Sequence, residues 1–482
     1  MEKLVESMMN LNVPVVLIPK RHPKIGLQKR ERSKLERLPK MGPRNRSKVP
    51  DPNNHDHDHD HDHWDHDHDH WDHDYYHHRH WPYYDPYYDP YYDPYYDPYY
   101  PYYDPYDWPY LYSKQKNERN PKAGKNNFII TFTSTTDATT KIDDLNKKVG
   151  FKHKHKLIKA LNGCTATVDN ALLSELLNDP DIQFIEKDSV VTDALYDKQE
   201  FKVGATTALW NQTITNTVPT LSDNYNSVHC YILDTGIMAT HTEFVPGQVV
   251  LDYNTISQNK NAVDDNGHGT GVASVIGGKT VGSAVKTTLH SIKVLDSNGS
   301  GYTSNIIAGL DWVLANKNTT NKVIINLSLG GSSSTSLNTA IQNAIIQNCV
   351  VVCAAGNDGV DASSVSPANA SGAITIAAYD STKTKPTWSN FGPVVSSFAP
   401  GSSVKAAWSD STTTYYSVSG TSFACPIVAA IIARYLKTTP NASQMQIVSF
   451  LTKSNVSNEI INPGANTPNG RLVWNASNVV PC

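Results

Sequence analysis

Long apolar runs, excess charge and clustered cysteines are all lacking from this 482-residue sequence. No apolar stretch approaches the roughly 20 residues of a membrane-spanning helix, which argues against an integral membrane protein. The formal net charge of −4 gives no indication of a nucleic-acid partner. Six cysteines are too few for a disulfide scaffold in a chain of this length. The composition therefore favours one or more ordinary globular domains.

Charge is unevenly distributed along the chain. Residues 1–50 carry 13 Lys or Arg against 4 Glu, whereas residues 51–112 carry 16 Asp and one Arg. The remaining residues are nearly neutral. The only early apolar stretch, Leu11–Pro19, is short, contains two prolines and has no small-residue cleavage pattern behind it. A secretory signal is therefore not clearly visible.

Two low-complexity tracts fill residues 51–112. His and Asp alternate from 55 to 80, and Tyr-Tyr-Asp-Pro repeats follow from 82 to 107. Leu111 is the only aliphatic residue between 51 and 112, so the segment has little to bury against its chain entropy. We therefore predict a disordered region over residues 1–125, basic at first and then rich in His/Asp and Tyr/Pro.

The His/Asp tract over residues 55–80 has three open interpretations. Alternate residues of an extended chain face opposite ways, so the His would line one side and bind a divalent metal. Protonation of its His near their usual pKa of about 6.5 would instead make the tract a pH sensor. The third interpretation is an expanded repeat without selected chemistry.

From residue 126 the pattern becomes that of a compact domain. Strand-like runs begin with Phe128–Thr133 and end with Ile182–Glu186, and helices are predicted at about Ala138–Val149 and Ala171–Leu177. The resulting β-α-β-β-α-β order predicts a small ferredoxin-like α+β domain over residues 126–192.

Residues 206–482 alternate between apolar strands and helices. Strands rich in Val and Ile, without polar alternation, predict a parallel sheet covered by helices on both faces. The predicted strands are His229–Asp234, Thr288–Val294, Val323–Leu327, Val350–Ala355 and Ala373–Ala378, with a helix after each of the first four. In such sheets functional groups gather at the carboxyl ends of the strands.

Four reactive side chains stand at strand ends or helix starts. Asp234 ends a buried strand, His268 opens a small-residue helix, Asn357 follows a strand and Ser422 opens an apolar helix. A serine hydroxyl needs an imidazole base, and the imidazole needs a carboxylate that fixes its tautomer. The Asn357 amide and the Ser422 backbone N–H would stabilise an oxyanion. The joint pattern predicts a serine hydrolase.

These motifs resemble those of the subtilisin-like serine proteases, in particular the proteinase K group. They read YILDTGI, NGHGTGVAS, SLGG, AAGND and SGTSFACPIVAA. The resemblance extends over residues 126–482 and implies a subtilisin-like peptidase domain over residues 200–482. It implies a serine endopeptidase in which Asp234, His268 and Ser422 form the triad, in the order known from subtilisin. Asn357 would form the side-chain part of the oxyanion hole, and no cofactor is required.

The resemblance also implies a substrate-binding groove between two edge strands. The corresponding residues are Gly299, Ser300 and Gly301 on one side and Ser328, Leu329 and Gly330 on the other. Glycine-rich edges let an extended peptide add as a strand. The neighbouring wall, which includes Ala355 and Gly356, carries no charge. Hydrophobic or aromatic residues are therefore expected before the cleaved bond.

The stretches NGCTATV and SELLNDPDIQFIEKD resemble the inhibitory propeptide of the same family. This implies a self-processing zymogen whose residues 126–192 act as an intramolecular inhibitor. The polar connector Val190–Val203 is expected to be exposed and to contain the processing site. Proteins or peptides are the expected substrates. A secreted, extracellular enzyme is expected, with an endolysosomal location as the alternative.

Three positions depart from the family pattern. Gly271 and Ile427 stand where the family usually has structural His, so packing near the site is expected to differ. Ser396 stands where proteinase K-like enzymes have a calcium-binding Asp, which disfavours structural calcium there, and the metal ligands of the peptidase are otherwise unknown. Cys349, Cys353 and Cys425 are expected to be buried core residues.

Two other functional classes compete with the peptidase. In the first, the fold is inactive and the front region binds metal or a surface, but the complete set of reactive residues argues against this. In the second, the enzyme is another serine hydrolase such as an esterase. The Gly-x-Ser-x-Gly elbow of such enzymes is absent, because the sequence around Ser422 reads Gly-Thr-Ser-Phe-Ala.

Overall fold

The structure is a computed structural model that describes residues 16–17, 127–200, 209–218, 223–317 and 323–473. Apart from the short strand β1 (Val16–Leu17), the predictions made for residues 1–125, including the His/Asp tract, lie outside the described residues. Within the described ranges, no helix combines the length and the apolar character that a membrane span needs.

A five-stranded antiparallel sheet and two helices form the small domain. Its elements are β2 (Asn127–Phe132), α1 (Ala138–Leu145), β3 (Phe151–Leu157), β4 (Gly163–Val168), α2 (Asn170–Leu176) and β5 (Ile182–Lys187). The strand order is β1-β5-β2-β4-β3. The Asp137 and Asp169 carboxylates cap the two helices by accepting hydrogen bonds from backbone N–H groups of the first turns. Helix α1 ends at Leu145 rather than Val149, because residues 146–150 turn outward and Val149 is 94% exposed.

The sheet of this domain has two buried faces. One face packs against α1 and α2 in a core that includes Ile130, Phe132 and Leu145. On the other face Ile129 and Leu157 belong to an apolar cluster shared with the peptidase domain. A register shift between His153 and His155 in β3 turns the strand, so that its second half faces the peptidase.

The peptidase domain is built on a nine-stranded sheet with the order β20-β21-β17-β16-β14-β12-β8-β10-β9. The elements of the domain are α3 (Trp210–Ile214), β8 (His229–Asp234), β9 (Val249–Asn254), α4 (His268–Gly277), β10 (Thr288–Lys293), β11 (Ser300–Tyr302), α5 (Thr303–Asn316), β12 (Val323–Leu327), β13 (Leu329–Ser332), α6 (Thr335–Ile346), β14 (Cys349–Ala354), β15 (Val365–Ser366), β16 (Ile374–Tyr379), β17 (Ser397–Pro400), β18 (Val404–Ala407), β19 (Tyr415–Ser419), α7 (Thr421–Thr438), α8 (Gln444–Ser454), β20 (Asn455–Ser457) and β21 (Gly470–Leu472). Five short strands, β11, β13, β15, β18 and β19, lie outside the nine-stranded sheet.

The central strands are parallel and buried on both faces, which confirms the predicted fold class. Helices α4 and α7 cover one face, and α5 and α6 cover the other. Adjacent residues of β12 show the division, because Ile324 belongs to the first cluster and Ile325 to the second.

One predicted helix is wrong. Between β14 and β16 the helical structure is limited to a three-residue 3-10 turn, Ala362–Ser364, which the short strand β15 follows. Residues 356–373 are small and polar and include Pro367, so they offer no apolar stripe at helical spacing. Strands β9, β17 and β21, which the sequence did not reveal, extend the sheet outward.

The connector between the domains forms two further strands. Strand β6 (Val190–Asp193) pairs antiparallel with β11 on one side and β13 on the other. Strand β7 (Asp197–Glu200) pairs antiparallel with β19. The expectation of an exposed connector is wrong at Val191 and Ala194, which are only 2% and 6% exposed. Residues 201–203 of the predicted connector lie outside the described residues.

Candidate active site

Asp234 and His268 meet at the carboxyl end of the central sheet. Asp234 is the last residue of β8, and His268 is the first residue of α4. The His268 Nδ1 and the Asp234 Oδ1 are 2.8 Å apart, and both side chains are fully buried. Asp234 Oδ1 also accepts a hydrogen bond from the Thr235 backbone N–H at 2.7 Å. The contact between Asp234 Oδ1 and His268 Nδ1 fixes the imidazole ring so that Nε2 lies on the side away from Asp234.

Asp264, which sequence reasoning missed, holds the turn that carries His268. Its Oδ1 accepts hydrogen bonds from Thr235 Oγ1 at 2.8 Å and from Gly267 N at 2.8 Å. Its Oδ2 accepts from Thr270 N at 2.9 Å and Thr270 Oγ1 at 2.6 Å. One buried carboxylate therefore links the turn after Asp234 to the first turn of α4.

Glycine is needed where these two turns approach each other. The Gly269 N–H donates to Thr235 Oγ1 at 2.9 Å, and a Cβ at Gly269 would lie 2.2 Å from the Gly236 carbonyl oxygen. A larger residue would push His268 away from Asp234. The glycine-rich motif around His268 thus serves this close backbone approach.

The charge environment favours protonated His268. Burial opposes the charged form, but the carboxylates of Asp234 and Asp193, with further help from Asp264, raise the pKa of His268 to about 9. Asp193 comes from the connector strand β6 rather than from the peptidase domain. The connector therefore stabilises the protonated form of the His268 imidazole.

Ser422 and Asn357 lie beside this pair. Ser422 is the second residue of α7, and Asn357 follows β14 by three residues. Asn357 Oδ1 accepts hydrogen bonds from Thr421 N at 2.9 Å and Thr421 Oγ1 at 2.8 Å, which leaves its Nδ2 pointing toward the connector. Thr421, whose role sequence reasoning missed, thus orients the amide.

The Ala194 carbonyl oxygen occupies the position expected of a reacting carbonyl. It accepts hydrogen bonds from Asn357 Nδ2 and, at 3.3 Å, from the Ser422 backbone N–H. Among the described residues, neither Ser422 Oγ nor His268 Nε2 has a hydrogen-bond partner, although both are buried. Two N–H donors thus hold one peptide carbonyl, and the Ser422 hydroxyl and His268 Nε2 do not hydrogen-bond to each other.

The predicted substrate strands hold the residues before Ala194. Backbone pairing joins Thr192 to Ser300 and to Gly330, and Val191 to Gly301. The Asp193 N–H donates to the Gly299 carbonyl at 2.9 Å. The Ala194 N–H donates to the Ser328 carbonyl at 3.0 Å. All six predicted edge residues thus lie along β6; Leu329 pairs with Asp193.

The pocket wall near Ala194 is apolar. Leu329, Ala354 and Ala355 are buried, and Gly356 adopts a φ of 102°. The Ala194 side chain belongs to the same apolar cluster as Ala354. A side chain that enters this region meets methyl groups rather than charge.

Buried polar side chains hydrogen-bond to the backbone of Ser422 and to one another. Ser328 Oγ donates to the Ser422 carbonyl at 2.8 Å, and Asn326 Nδ2 donates to Ser328 Oγ at 2.9 Å. Cys425 Sγ contacts Asn326 Oδ1 at 3.2 Å, and burial raises the pKa of this thiol well above its usual value. Cys349 and Cys353 are likewise buried and not in disulfides.

Ser396, which stands at the usual calcium-binding position, takes part in a structural hydrogen bond. The Ser396 hydroxyl accepts a hydrogen bond from the Thr375 N–H at 3.1 Å, which uses a neutral oxygen for a structural contact. No group of three or more His, Cys, Asp or Glu in the part of the chain that the structure describes is arranged to hold a metal ion. Gly271, another departure, lies close to Trp408 and Phe423, whose rings take the space of a larger side chain.

Comparison with known proteins identifies the family. The model of the subtilase family, Peptidase_S8, matches residues 226–472, so the chain belongs to the subtilases. An extracellular serine proteinase of Thermus sp. (strain Rt41A) is 40% identical over 316 residues, which cover 64% of this chain and 75% of that protein. Proteinase T of Parengyodontium album is 41% identical over 258 residues, or 53% of this chain and 86% of that protein.

A solved structure agrees with this assignment. The crystal structure of a cold-adapted subtilisin-like serine proteinase aligns with a TM-score of 0.53 and 34% identity. The alignment covers 56% of this chain and 99% of that chain. The predicted subtilisin-like fold and serine-type endopeptidase activity are therefore confirmed.

Proposed function

We propose that this subtilase is a self-processing zymogen that cleaves its own chain between Ala194 and Leu195. The observation that carries the proposal is the hydrogen bonding of the Ala194 carbonyl to Asn357 Nδ2 and the Ser422 N–H. Residues 127–194 would then be the inhibitor, and the peptidase would begin at Leu195. This boundary lies two residues beyond the one expected from the sequence.

The residues around that carbonyl suit acyl transfer. Ser422 Oγ attacks the Ala194 carbonyl carbon while His268 Nε2 accepts the hydroxyl proton and Asp234 stabilises the imidazolium. Asn357 Nδ2 and the Ser422 N–H stabilise the oxyanion. The bond to Leu195 then breaks, and His268 passes its proton to the departing amine. Water hydrolyses the resulting ester and regenerates the hydroxyl.

Carboxylates of the small domain support its role as an inhibitor. Glu186 Oε2 accepts hydrogen bonds at 2.8 Å from both Ser336 N and Ser336 Oγ in the first turn of α6. Asp188 accepts from Ser304 N at 2.9 Å and Ser304 Oγ at 2.6 Å in the first turn of α5. These hydrogen bonds use N–H groups that the start of a helix leaves unpaired, and they hold the small domain against the peptidase.

The loop between β3 and β4 forms a second set of hydrogen bonds between the small domain and the peptidase. Asp311 Oδ1 of α5 accepts hydrogen bonds from the backbone N–H groups of Lys159 and Ala160, the latter at 2.8 Å. Asn343 Nδ2 donates to the Ala160 carbonyl at 2.9 Å, and Gln347 Nε2 donates to the Lys159 carbonyl at 2.9 Å. Two peptidase helices thus bind the propeptide backbone itself.

The test is the fate of the purified chain with and without its nucleophile. The unmodified chain should yield a new N-terminus at Leu195, read by N-terminal sequencing or mass spectrometry. Ser422→Ala should remain uncut, because loss of the nucleophile lowers turnover by about a millionfold in subtilisin. Processing of the Ser422→Ala chain on its own, or a mature N-terminus elsewhere, would refute the proposal.

We also propose a preference for hydrophobic or aromatic residues before the cleaved bond. The apolar wall of Leu329, Ala354 and Ala355 supports it, since a Lys or Glu side chain there would lose its hydration without gaining a partner. Peptide anilides with Phe, Leu, Ala, Lys or Glu at that position would rank the preference. Equal kcat/KM for Lys and Phe would contradict it.

Export from the cell and metal binding are the remaining proposals. The relatives from Thermus sp. and Vibrio alginolyticus are named an extracellular serine proteinase and an alkaline serine exoprotease, which supports a secreted enzyme. Nothing in these names supports an endolysosomal location. For the His/Asp tract at 55–80, titration of the isolated segment with zinc in a calorimeter is decisive, and no heat at micromolar concentration would eliminate the metal interpretation.

A further inference from the structure

The residues that follow the proposed cut also lie in a defined groove. The Tyr196 N–H donates to the Ser419 carbonyl at 2.8 Å, and β7 then continues the pairing along β19 from Asp197 to Glu200. The backbone is thus bound as a strand on both sides of Ala194. In the direction of the leaving peptide, the bound segment reaches six residues beyond the cut.

The second residue after the cut lies on an aromatic ring. The rings of Tyr196 and Trp388 stack with centroids 4.8 Å apart and planes 18° from parallel. Tyr196 remains 55% exposed, so the stack on Trp388 accounts for much of its side-chain contact with the peptidase. An offset aromatic pair of this kind adds to binding beyond its buried area.

The fourth residue after the cut is a cation above two rings. The Lys198 ammonium lies 4.7 Å from the Trp408 ring centroid and 4.4 Å from that of Tyr416. The Tyr416 hydroxyl donates to Asp410 Oδ2 at 2.5 Å, which places a carboxylate at the same pocket. An ammonium, rather than a neutral or acidic group, fits this combination of ring faces and negative charge.

The Asp197 side chain, which lies between these two residues, makes its hydrogen bonds within the segment itself. Asp197 Oδ1 accepts a hydrogen bond from Lys198 N, and Asp197 Oδ2 accepts one from Gln199 Nε2. Tyr196 and Lys198, two residues apart, each contact aromatic rings of the peptidase. Ring contacts are thus made at the second and fourth positions after the proposed cut.

We propose that these contacts form two specificity subsites that peptide substrates use once the new N-terminal segment, residues 195–200, has left the groove after the cut. One subsite, at Trp388, accepts an aromatic residue at the second position after the cut. The other, at Trp408 and Tyr416, accepts Lys or Arg at the fourth position. The inference rests on the proposed cut after Ala194, which assigns the two positions.

The first test uses the mature, unmodified enzyme and quenched fluorescent peptides with the sequence of residues 190–200. Replacing the residue equivalent to Tyr196 by Ala should lower kcat/KM about three- to tenfold, while Phe should restore it. Replacing the residue equivalent to Lys198 by Gln should lower kcat/KM by a similar factor, while Arg should restore it. A peptide with Asn at the Asp197 position is the matched control and should be cleaved like the parent.

The second test assigns the effects to the named residues. In Trp388→Ala the difference between the Tyr and Ala peptides should disappear, and in Tyr416→Leu the difference between the Lys and Gln peptides should disappear. Equal kcat/KM for all peptides with the unmodified enzyme would overturn the proposal, even if a variant fails to fold. Differences that persist unchanged in both variants would also overturn it. Mass spectrometry of the precursor reports the cut position separately, so failure of the subsites is distinguishable from failure of the proposed processing.

Discussion

The side-chain oxygen of Asn357 accepts both hydrogen bonds that Thr421 offers, from its backbone N at 2.9 Å and its Oγ1 at 2.8 Å. The amide nitrogen of Asn357 is thereby turned toward the Ala194 carbonyl. Thr421 Oγ1 is also the acceptor for the Gly356 N–H at 3.1 Å. One hydroxyl thus aligns the oxyanion donor with the start of the nucleophile helix.

We expect Thr421→Val to lower kcat about tenfold, because a misaligned oxyanion donor loses part of the hundredfold or more that such a donor contributes. Thr421→Ser retains the hydroxyl and serves as the control. Steady-state kinetics on a peptide anilide measure both. A Val variant with the kcat of the Ser variant would show that Asn357 needs no such alignment.

Asp264 should be essential for the geometry of His268 and not only for stability. In Asp264→Asn, an amide would face the donor groups of Gly267 and Thr270 and leave some of them unpaired, at a cost of about 1–3 kcal/mol each. We expect a lower Tm and a kcat reduced about tenfold or more per folded molecule. Asp380→Asn is the control, because Asp380 accepts comparable bonds in a surface turn from Thr382 and Thr384. Its Tm should fall with kcat unchanged.

Self-cleavage should accelerate with rising pH. His268 acts as a base only when it is neutral, and its pKa in the precursor is about 9. The rate should therefore rise about tenfold per pH unit below pH 9 and level off above it. Asp193 is one cause of the raised pKa, so Asp193→Asn should move the midpoint to lower pH. If Asp193→Asn changes the rate of self-cleavage but not the midpoint of its pH profile, the Asp193 carboxylate does not act through the pKa of His268.

Two buried groups should make release of the cut propeptide depend on pH in opposite directions. Burial raises the pKa of Asp188 to about 6, so its contribution to binding is complete at low pH and is lost as the pH rises through 6. Burial, aided by the charges of Lys154 and His153, lowers the pKa of His155 to about 3. The contribution of His155 is present above pH 6.5 and is lost as the pH falls.

The two effects should nearly cancel between about pH 4 and pH 6 in the unmodified protein. Asp188→Asn leaves only the His155 effect, so the cut propeptide should be released when the pH falls. His155→Gln leaves only the Asp188 effect, so the cut propeptide should be released when the pH rises. Size-exclusion chromatography of the cut complex at several pH values measures the retained fraction. Parallel pH profiles for both variants would show that these residues do not titrate at the interface.

The three candidate triad residues could be singled out from the sequence because each belongs to a local motif at a strand end or helix start. Asp234 and His268 needed only the rule that such ends converge at one edge of a parallel sheet. Asp264 stands four residues before His268, beside a recognised motif, but its role depends on donors that only the folded turn brings together. Its position in an Asp-Asp-Asn-Gly turn was the available signal.

The sequence indicated Val190–Val203 as the processing region, but it did not indicate which residue of this connector reaches Asn357 Nδ2 and the Ser422 N–H. Which residue reaches the oxyanion donors depends on the register between β6 and two strands more than one hundred residues further along the chain. Neither hydrophobicity nor turn chemistry fixes that register. The prediction of a helix after β14 was wrong for a different reason. The alternation of strands and helices was extended into a segment that has no helical periodicity.

The bond between Ala194 and Leu195 is the covalent link between β6, which lies in one small sheet, and β7, which lies in another. In the zymogen proposed above, the small domain cannot diffuse away while this bond is intact, and its local concentration is set by the chain. After cleavage the same contacts must hold a separate molecule. Simple dilution therefore becomes a means of switching the enzyme on, with no further chemistry required.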